Sequence, residues 1–135
     1  MQNKKILITG AGGFIGHHLV KFLKQRGYWI RGADLKYSEF ERTTADEFKI
    51  LDLREFASCM EACNGVDEVY SLAADMGGIG YITAYHAVVV RNNTLINMNM
   101  LEAARKREIT NYLYTSSACV YPQYLQGEVD VKPLK

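Results

Sequence analysis

Residues 9–16 read Thr9-Gly10-Ala11-Gly12-Gly13-Phe14-Ile15-Gly16, directly after the apolar run Ile6-Leu7-Ile8 and ahead of a helical pattern. Glycines at 10, 13 and 16 allow a tight strand-to-helix turn, close backbone approach to a ligand, and close helix–strand packing. The helix that follows points its unpaired N–H groups and positive dipole end toward the turn, which makes a seat for a pyrophosphate. A glycine triplet can equally mark a turn that merely packs well. The functional reading therefore depends on what the other strand ends carry.

Outward from this stretch, strand-like and helix-like patterns alternate. Residues 4–9 form a β-rich run, and residues 13–26 place Ile15, Leu19, Phe22 and Leu23 on one helical face before Gly27 stops it. Strands are expected at 28–34, 47–51, 68–73 and 111–116, with a polar loop at 36–46 and a helix at 54–63. A glycine-rich loop at 75–80 leads into one long helix at 81–107, which carries the polar row Asn92, Asn93, Asn97 and Asn99. Alternation of this kind implies an α/β fold: a doubly wound parallel sheet of about five strands, with helices on both faces and right-handed crossovers. Such sheets present ligand-binding residues at the C-terminal ends of their strands.

The totals bound the possibilities. With 135 residues the chain is the size of one domain, burying about two-thirds of its unfolded surface. A composition 48% hydrophobic and 23% charged is that of a globular protein. A formal charge of +1 supplies no basic field for nucleic acid, and no apolar run is long enough to span a bilayer. The first residues show no signal-peptide anatomy, and three cysteines without secretory context suggest reduced thiols in a cytoplasmic compartment. Cys59 and Cys63 lie on the expected 54–63 helix without a second ligand pair, so they read as buried side chains and not as a metal site.

Three further features sit where a dinucleotide would need them. Asp34 ends the second strand, where a carboxylate can accept hydrogen bonds from both ribose hydroxyls and repel a 2′-phosphate. This favours NAD over NADP, with Lys36 nearby leaving room for the latter; the bland alternative is a solvated strand-end aspartate. Asp52 and Leu53 end the third strand, where the adenine ring would lie. There Asp52 could accept from the exocyclic amine and Leu53 give the ring an apolar face, or Asp52 could cap the helix beginning near Arg54. Leu72, Ala73 and Ala74 close the fourth strand with small side chains that allow backbone approach to a ribose or nicotinamide, or that simply pack tightly. Asparagine is a mediocre helix former, so the row on the long helix suggests that at least one, with Asn92 the candidate, turns inward to a polar ligand.

Taken together, the chain resembles the extended short-chain dehydrogenase/reductases, the nucleotide-sugar epimerase and dehydratase group with its Rossmann-type cofactor domain. The fingerprint Thr9-Gly10-x-x-Gly13-Phe14-Ile15-Gly16 carries the likeness, as does Ser116-Ser117-Ala118-x-Val120-Tyr121 at the end of the fifth strand. Residues 72–80, the Asn92-Asn93-Thr94 triplet and residues 116–122 bring it closest to the members that epimerise GDP-mannose at C3 and C5. The resemblance implies that NAD transiently oxidises C4, that the ketone acidifies the C3 and C5 protons, and that hydride then returns. It implies cofactor contacts from Gly10, Gly13, Phe14, Ile15, Gly16 and the strand-end residues above. It further implies that Ser117 hydrogen-bonds the C4 oxygen and that Cys119 is one member of the epimerising acid/base pair. Thiol chemistry suits that task, since an ordinary cysteine pKa of about 8.5 is within reach of neutrality. Gly77, Gly78 and Gly80 would shape a loop against the sugar, which Ala118 would also border. The bland readings stay open beside these: Ser117 as a residue that satisfies backbone groups, Cys119 as a small buried hydrophobe, and His17 and His18 as packing or solvent residues.

The group carries a Tyr-x-x-x-Lys pair after the fifth strand, and no tyrosine here has a lysine four residues on: Leu125 follows Tyr121 at that spacing and Glu128 follows Tyr124. The expectation is therefore an N-terminal part of a longer enzyme, a homodimer when complete, that keeps part of the NAD site and does not turn over alone. Two alternatives stand. One is a 4-epimerase or 4,6-dehydratase acting on another nucleotide sugar; the other is a non-catalytic NAD-binding module.

Overall fold

The computed structural model of the protein describes residues 4–117, 120 and 124. Its centre is β1 (Lys5–Thr9), whose apolar run faces both ways. Ile6 and Ile8 point to one side of the sheet and Leu7 to the other, each almost fully buried. A central parallel strand covered on both faces requires such a continuous run. Each of these side chains contributes about 1.5–3 kcal/mol by burial.

β2 (Trp29–Asp34) pairs with β1 on one side and β3 (Glu47–Ile50) pairs beyond it. β4 (Glu68–Ser71) and β5 (Asn111–Tyr114) build outward on the other side. The order is β3-β2-β1-β4-β5, all parallel, so the direction of growth reverses between β1 and β4. That reversal is the topological switch point at which open α/β sheets hold ligands.

Helix α1 (Phe14–Lys24) covers the Ile6/Ile8 face with Val20 and Leu23, and Lys21 and Lys24 in its last turn complement the dipole. α2 (Phe56–Ala62) and α4 (His86–Lys106) cover the Leu7 face through Cys59, Ala62, Ile96, Met100 and Ala103. The expected two-faced architecture is thus observed. Cys59 and Cys63 are core residues: burial pushes the Cys59 thiol up to about 12 and that of Cys63 to about 11. Among the described residues no His/Cys/Asp/Glu cluster could hold a metal, and no helix is long and apolar enough to cross a membrane.

The long helix expected at 81–107 is two helices. A short α3 (Ile79–Ala84) precedes α4, and Tyr85 between them leaves the helical well at φ −122° and ψ 27°. Ile79 and Gly80, expected in the loop, belong to α3. Side chains compete for backbone acceptors at the break: Thr83 Oγ1 donates to the Ile79 carbonyl at 2.8 Å, and His86 Nδ1 lies 3.2 Å from the Thr83 carbonyl.

Candidate functional site

A cleft of about 680 Å³ opens at the C-terminal ends of the strands, within the size range of small-molecule and cofactor sites. Every strand from β1 to β4 delivers residues to it: Gly10 and Gly13, then Asp34, Asp52 and Leu53, and finally Leu72, Ala73 and Ala74.

The turn after β1 is set by steric exclusion. Gly10 sits at φ +69°, and a Cβ there would lie 2.9 Å from the Ala73 nitrogen. At Gly16 a Cβ would lie 2.1 Å from the Gly10 carbonyl oxygen, so the first turn of α1 can reach the turn only without a side chain. The Gly13 N–H donates to the Gly10 carbonyl at 3.1 Å, and the His17 N–H to the Gly13 carbonyl at 2.9 Å. The amides of Phe14, Ile15 and Gly16 have no acceptor within the helix, which leaves a donor-rich, positive end over the turn. Thr9 Oγ1 accepts from the N–H groups of Leu72 at 3.0 Å and Ala73 at 3.1 Å, stitching the exit of β1 to that of β4.

Asp34 braces the glycine turn from the neighbouring strand. Its carboxylate accepts from the Gly12 N–H at 2.9 Å and from the Lys36 N–H at 3.3 Å while bordering the cleft. At the next strand end, the Asp52 carboxylate turns to Arg54. It accepts from the backbone N–H at 3.0 Å and from the guanidinium Nη2 at 2.6 Å and Nε at 2.9 Å. This pairing holds the Asp52 carboxyl below its ordinary range. The capping alternative for Asp52 does not hold: α2 takes Glu55 as its N-cap, and the Asp52 carboxylate closes a two-residue turn onto Arg54 instead. Leu53 borders the cleft with its side chain sunk in the core.

On the β4 side, Asp75 is clasped at every polar group. Its N–H donates to Asn93 Oδ1 at 2.7 Å, and its carbonyl accepts from Asn93 Nδ2 at 3.0 Å. Its carboxylate accepts from Asn92 Nδ2 at 2.7 Å and from the Tyr81 hydroxyl at 3.0 Å, a bond that raises the tyrosine pKa. Asn92 is buried and does turn inward, between Val88 and Ile96 on the α4 face that lines the cleft. Its amide N–H is spent on Asp75. The rest of the row is tied to other elements, Asn97 to the Tyr114 hydroxyl and Asn99 to the Arg54 carbonyl.

Other sequence-predicted residues lie elsewhere. The side chains of Phe14 and Ile15 are exposed, and Phe14 packs edge-on against His18 and Phe40. Only their backbone, with that of Gly16, faces the turn. Gly77 and Gly78 do not line the cleft; a Cβ on Gly77 would lie 2.7 Å from the Tyr81 ring. Ser117 follows β5, exposed, its carbonyl accepting from the Val120 N–H at 3.2 Å. Ala118 and Cys119 lie outside the described residues. His17 is buried with Nε2 3.2 Å from a Glu41 carboxylate oxygen, in keeping with a packing role. Residues that the sequence reading left out include Thr9, Arg54, Asp75 and Asn93. The spacing Val88, Asn92, Ile96 is one helical face and could have oriented α4; the Asp75–Asn93 pairing has no signature in periodicity.

A doubly wound parallel sheet with a glycine turn and a strand-end carboxylate at its switch point is a Rossmann-type α/β domain. The model of the NAD dependent epimerase/dehydratase family matches residues 6–134, and the chain belongs to that family. It is 46% identical over 99% of its length to the GDP-mannose 3,5-epimerase of Arabidopsis thaliana, and 48% identical over 96% to GDP-mannose 3,5-epimerase 1 of Oryza sativa subsp. japonica. It spans 36% and 35% of the lengths of these relatives. Among solved structures, the UDP-glucose 4-epimerase from Brucella ovis in complex with NAD superposes with a TM-score of 0.78 at 26% identity, covering 87% of this chain and 37% of that one.

Proposed function

We propose that this chain is the NAD-binding N-terminal part of a GDP-mannose 3,5-epimerase. The observation that carries the reading is the 46–48% identity to the plant enzymes over nearly all of this chain, joined to a cleft whose glycine cradle a single Cβ would fill. Gly10, Gly13 and the first amides of α1 at Phe14, Ile15 and Gly16 would hold the pyrophosphate. Asp34 would accept from the adenosine ribose, Asp52 and Leu53 would border the adenine, and Leu72, Ala73, Ala74 and Asn92 would border the nicotinamide half. NAD, when bound, supplies a reversible hydride acceptor for C4 of the sugar.

The chain's own residues do the rest that falls within it. On this reading Gly77 and Gly78, which lie outside the cleft, would border the sugar together with Ala118, Ser117 would donate a hydrogen bond to the C4 oxygen, and Cys119 would move a proton at C3 or C5. The ordinary cysteine pKa of about 8.5 puts thiol acid/base chemistry within reach of neutrality. Cys59 and Cys63, whose thiols burial keeps protonated, cannot take that part. The remaining acid/base residues and the guanosine contacts belong to the remaining length of a protein the size of these relatives.

The test uses the full-length protein that carries this chain, incubated with GDP-mannose in D₂O. Deuterium enters C3 and C5 in the wild type and is lost with Cys119→Ser. Exchange that persists in Cys119→Ser overturns the role of Cys119. Inversion at C4 alone would support a 4-epimerase instead, and NAD binding without any exchange would support a non-catalytic module.

A further inference from the structure

We propose that residues 76–84 form a lid at the β4 end of the cleft, and that Tyr81 is the positioning residue that latches this lid to Asp75 and so sets the wall against which the sugar nucleotide binds. The proposal rests on the nucleotide-sugar reading of the cleft and goes beyond it, since it concerns what holds the sugar end in shape.

The sequence runs Gly77-Gly78-Ile79-Gly80 into a helix of only six residues. A helix that short has little stability of its own and depends on what holds it in place. α3 buries none of its residues, and the chain leaves the helical well at Tyr85 before α4 begins. Among the described residues, one side-chain hydrogen bond leaves α3: the Tyr81 hydroxyl donates to Asp75 Oδ1 at 3.0 Å. The acceptor, by contrast, is fixed from α4. Asn92 Nδ2 donates to Asp75 Oδ2 at 2.7 Å, and the Asn93 side chain holds both backbone groups of Asp75. The Tyr81 ring completes the latch. It lies so close over Gly77 that a Cβ there would come within 2.7 Å of Cδ1, and it packs against the Tyr85 ring at 5.3 Å between centroids. Tyr81 and Met76 line the cleft together with Val88 and Asn92 of α4, so the seat of this segment sets the wall at that end. A segment with few buried contacts opens at a low free energy, and a single strong tie then decides how often the wall is in place.

The test uses the full-length protein that carries this chain, as wild type, Tyr81→Phe, Gly77→Ala and Tyr85→Phe, with melting confirming that each is folded. Amide hydrogen exchange at residues 79–84 is expected to quicken by about tenfold in Tyr81→Phe, the worth of one hydrogen bond to a carboxylate. It is expected to quicken likewise in Gly77→Ala, whose methyl group displaces the Tyr81 ring. Tyr85→Phe, which removes a hydroxyl that Asp75 does not take, should exchange as the wild type does, and residues 34–36 and 52–54 should be unchanged in all three. In Tyr81→Phe the KM for GDP-mannose is expected to rise by about tenfold, with kcat and NAD affinity within about threefold of the wild type, because a lost binding wall weakens ground state and transition state alike. Unchanged exchange at 79–84 in both Tyr81→Phe and Gly77→Ala overturns the latch. Quickened exchange with an unchanged KM overturns the positioning role, as does a fall in melting temperature and NAD affinity in step with the rise in KM. A wild type that binds NAD but does not turn over GDP-mannose overturns the nucleotide-sugar reading, and the exchange result still decides the latch.

Discussion

The two ends of the cleft are built by different means. At the β2–β3 end the carboxylates that border the cleft are satisfied within short stretches or between adjacent strand exits, Asp34 by Lys36 and Gly12 and Asp52 by Arg54. One contact from farther away, Asn99 to the Arg54 carbonyl, holds the loop. At the β4 end they join distant parts of the chain: Thr9 to Leu72 and Ala73, and Asp75 to Tyr81, Asn92 and Asn93. The first end rests on core residues such as Leu7, Ala33 and Leu53. The second is bordered by exposed apolar side chains, with Met76 66% and Ile79 82% exposed. The first end is the one to which the proposed adenosine contacts are assigned. The other is a braced platform, and it is the end to which the proposed sugar chemistry is assigned.

Gly16→Val strikes the feature that both ends share. Its Cβ would collide with the Gly10 carbonyl, and the expected outcome is a loss of about 3 kcal/mol or more in urea unfolding together with loss of NAD binding. Asp34→Ala acts on the first end alone: NAD affinity by calorimetry is expected to fall by about tenfold to a hundredfold, with NADP gaining relative to NAD. Equal effects on the two dinucleotides would reduce Asp34 to a brace for Gly12.

Asn93→Ala acts on the second end. Loss of its pairing with the Asp75 backbone is expected to cost about 1–2 kcal/mol. Amide exchange should quicken at residues 72–78 and stay unchanged at 34–36. If exchange quickened equally at both ends, the two would be one cooperative unit.

The core beneath the first end also predicts a pH response. The Cys59 and Cys63 thiols are raised to about 12 and about 11 by burial, above an unfolded value of about 8.5. The folded state therefore holds more protons than the unfolded state in that window. Stability is complete below about pH 8.5 and falls by about 1.4 kcal/mol per pH unit per thiol above it. Urea midpoints at pH 7.5 and 9.5 check this, and equal midpoints would contradict it. The smallest effect is expected from Lys36→Ala. Its exposed pairing with Glu39 should leave the melting temperature and NAD affinity unchanged, while any residual NADP binding disappears.

Much of this was legible in the residues themselves. The two-faced apolar run at Ile6–Ile8 and the glycine spacing led to a parallel sheet and a switch-point turn, and Asp34 was in place at the strand end. Periodicity reports which face of an element is apolar, but not which distant partner a polar side chain meets. Asn93 therefore passed as one asparagine in a row, and Asp75 as a loop residue, although together they hold the β4 exit. The break at Tyr85 is invisible to periodicity because the apolar pattern runs through it, and the side-chain contacts of Thr83 and His86 to nearby carbonyls have no periodic signature. Asp52 fitted two readings because a strand-end aspartate before a helix is the sequence signature of both; its carboxylate is committed to Arg54, which spacing alone did not reveal.

NAD in the cleft at the switch point would lie against the Gly10–Gly16 turn and the β2 and β3 exits. Amide hydrogen exchange of the chain with and without NAD tests this placement. Slowed exchange is expected at residues 12–17, 34–36 and 52–54. Unchanged exchange at all three in the presence of saturating NAD would contradict it.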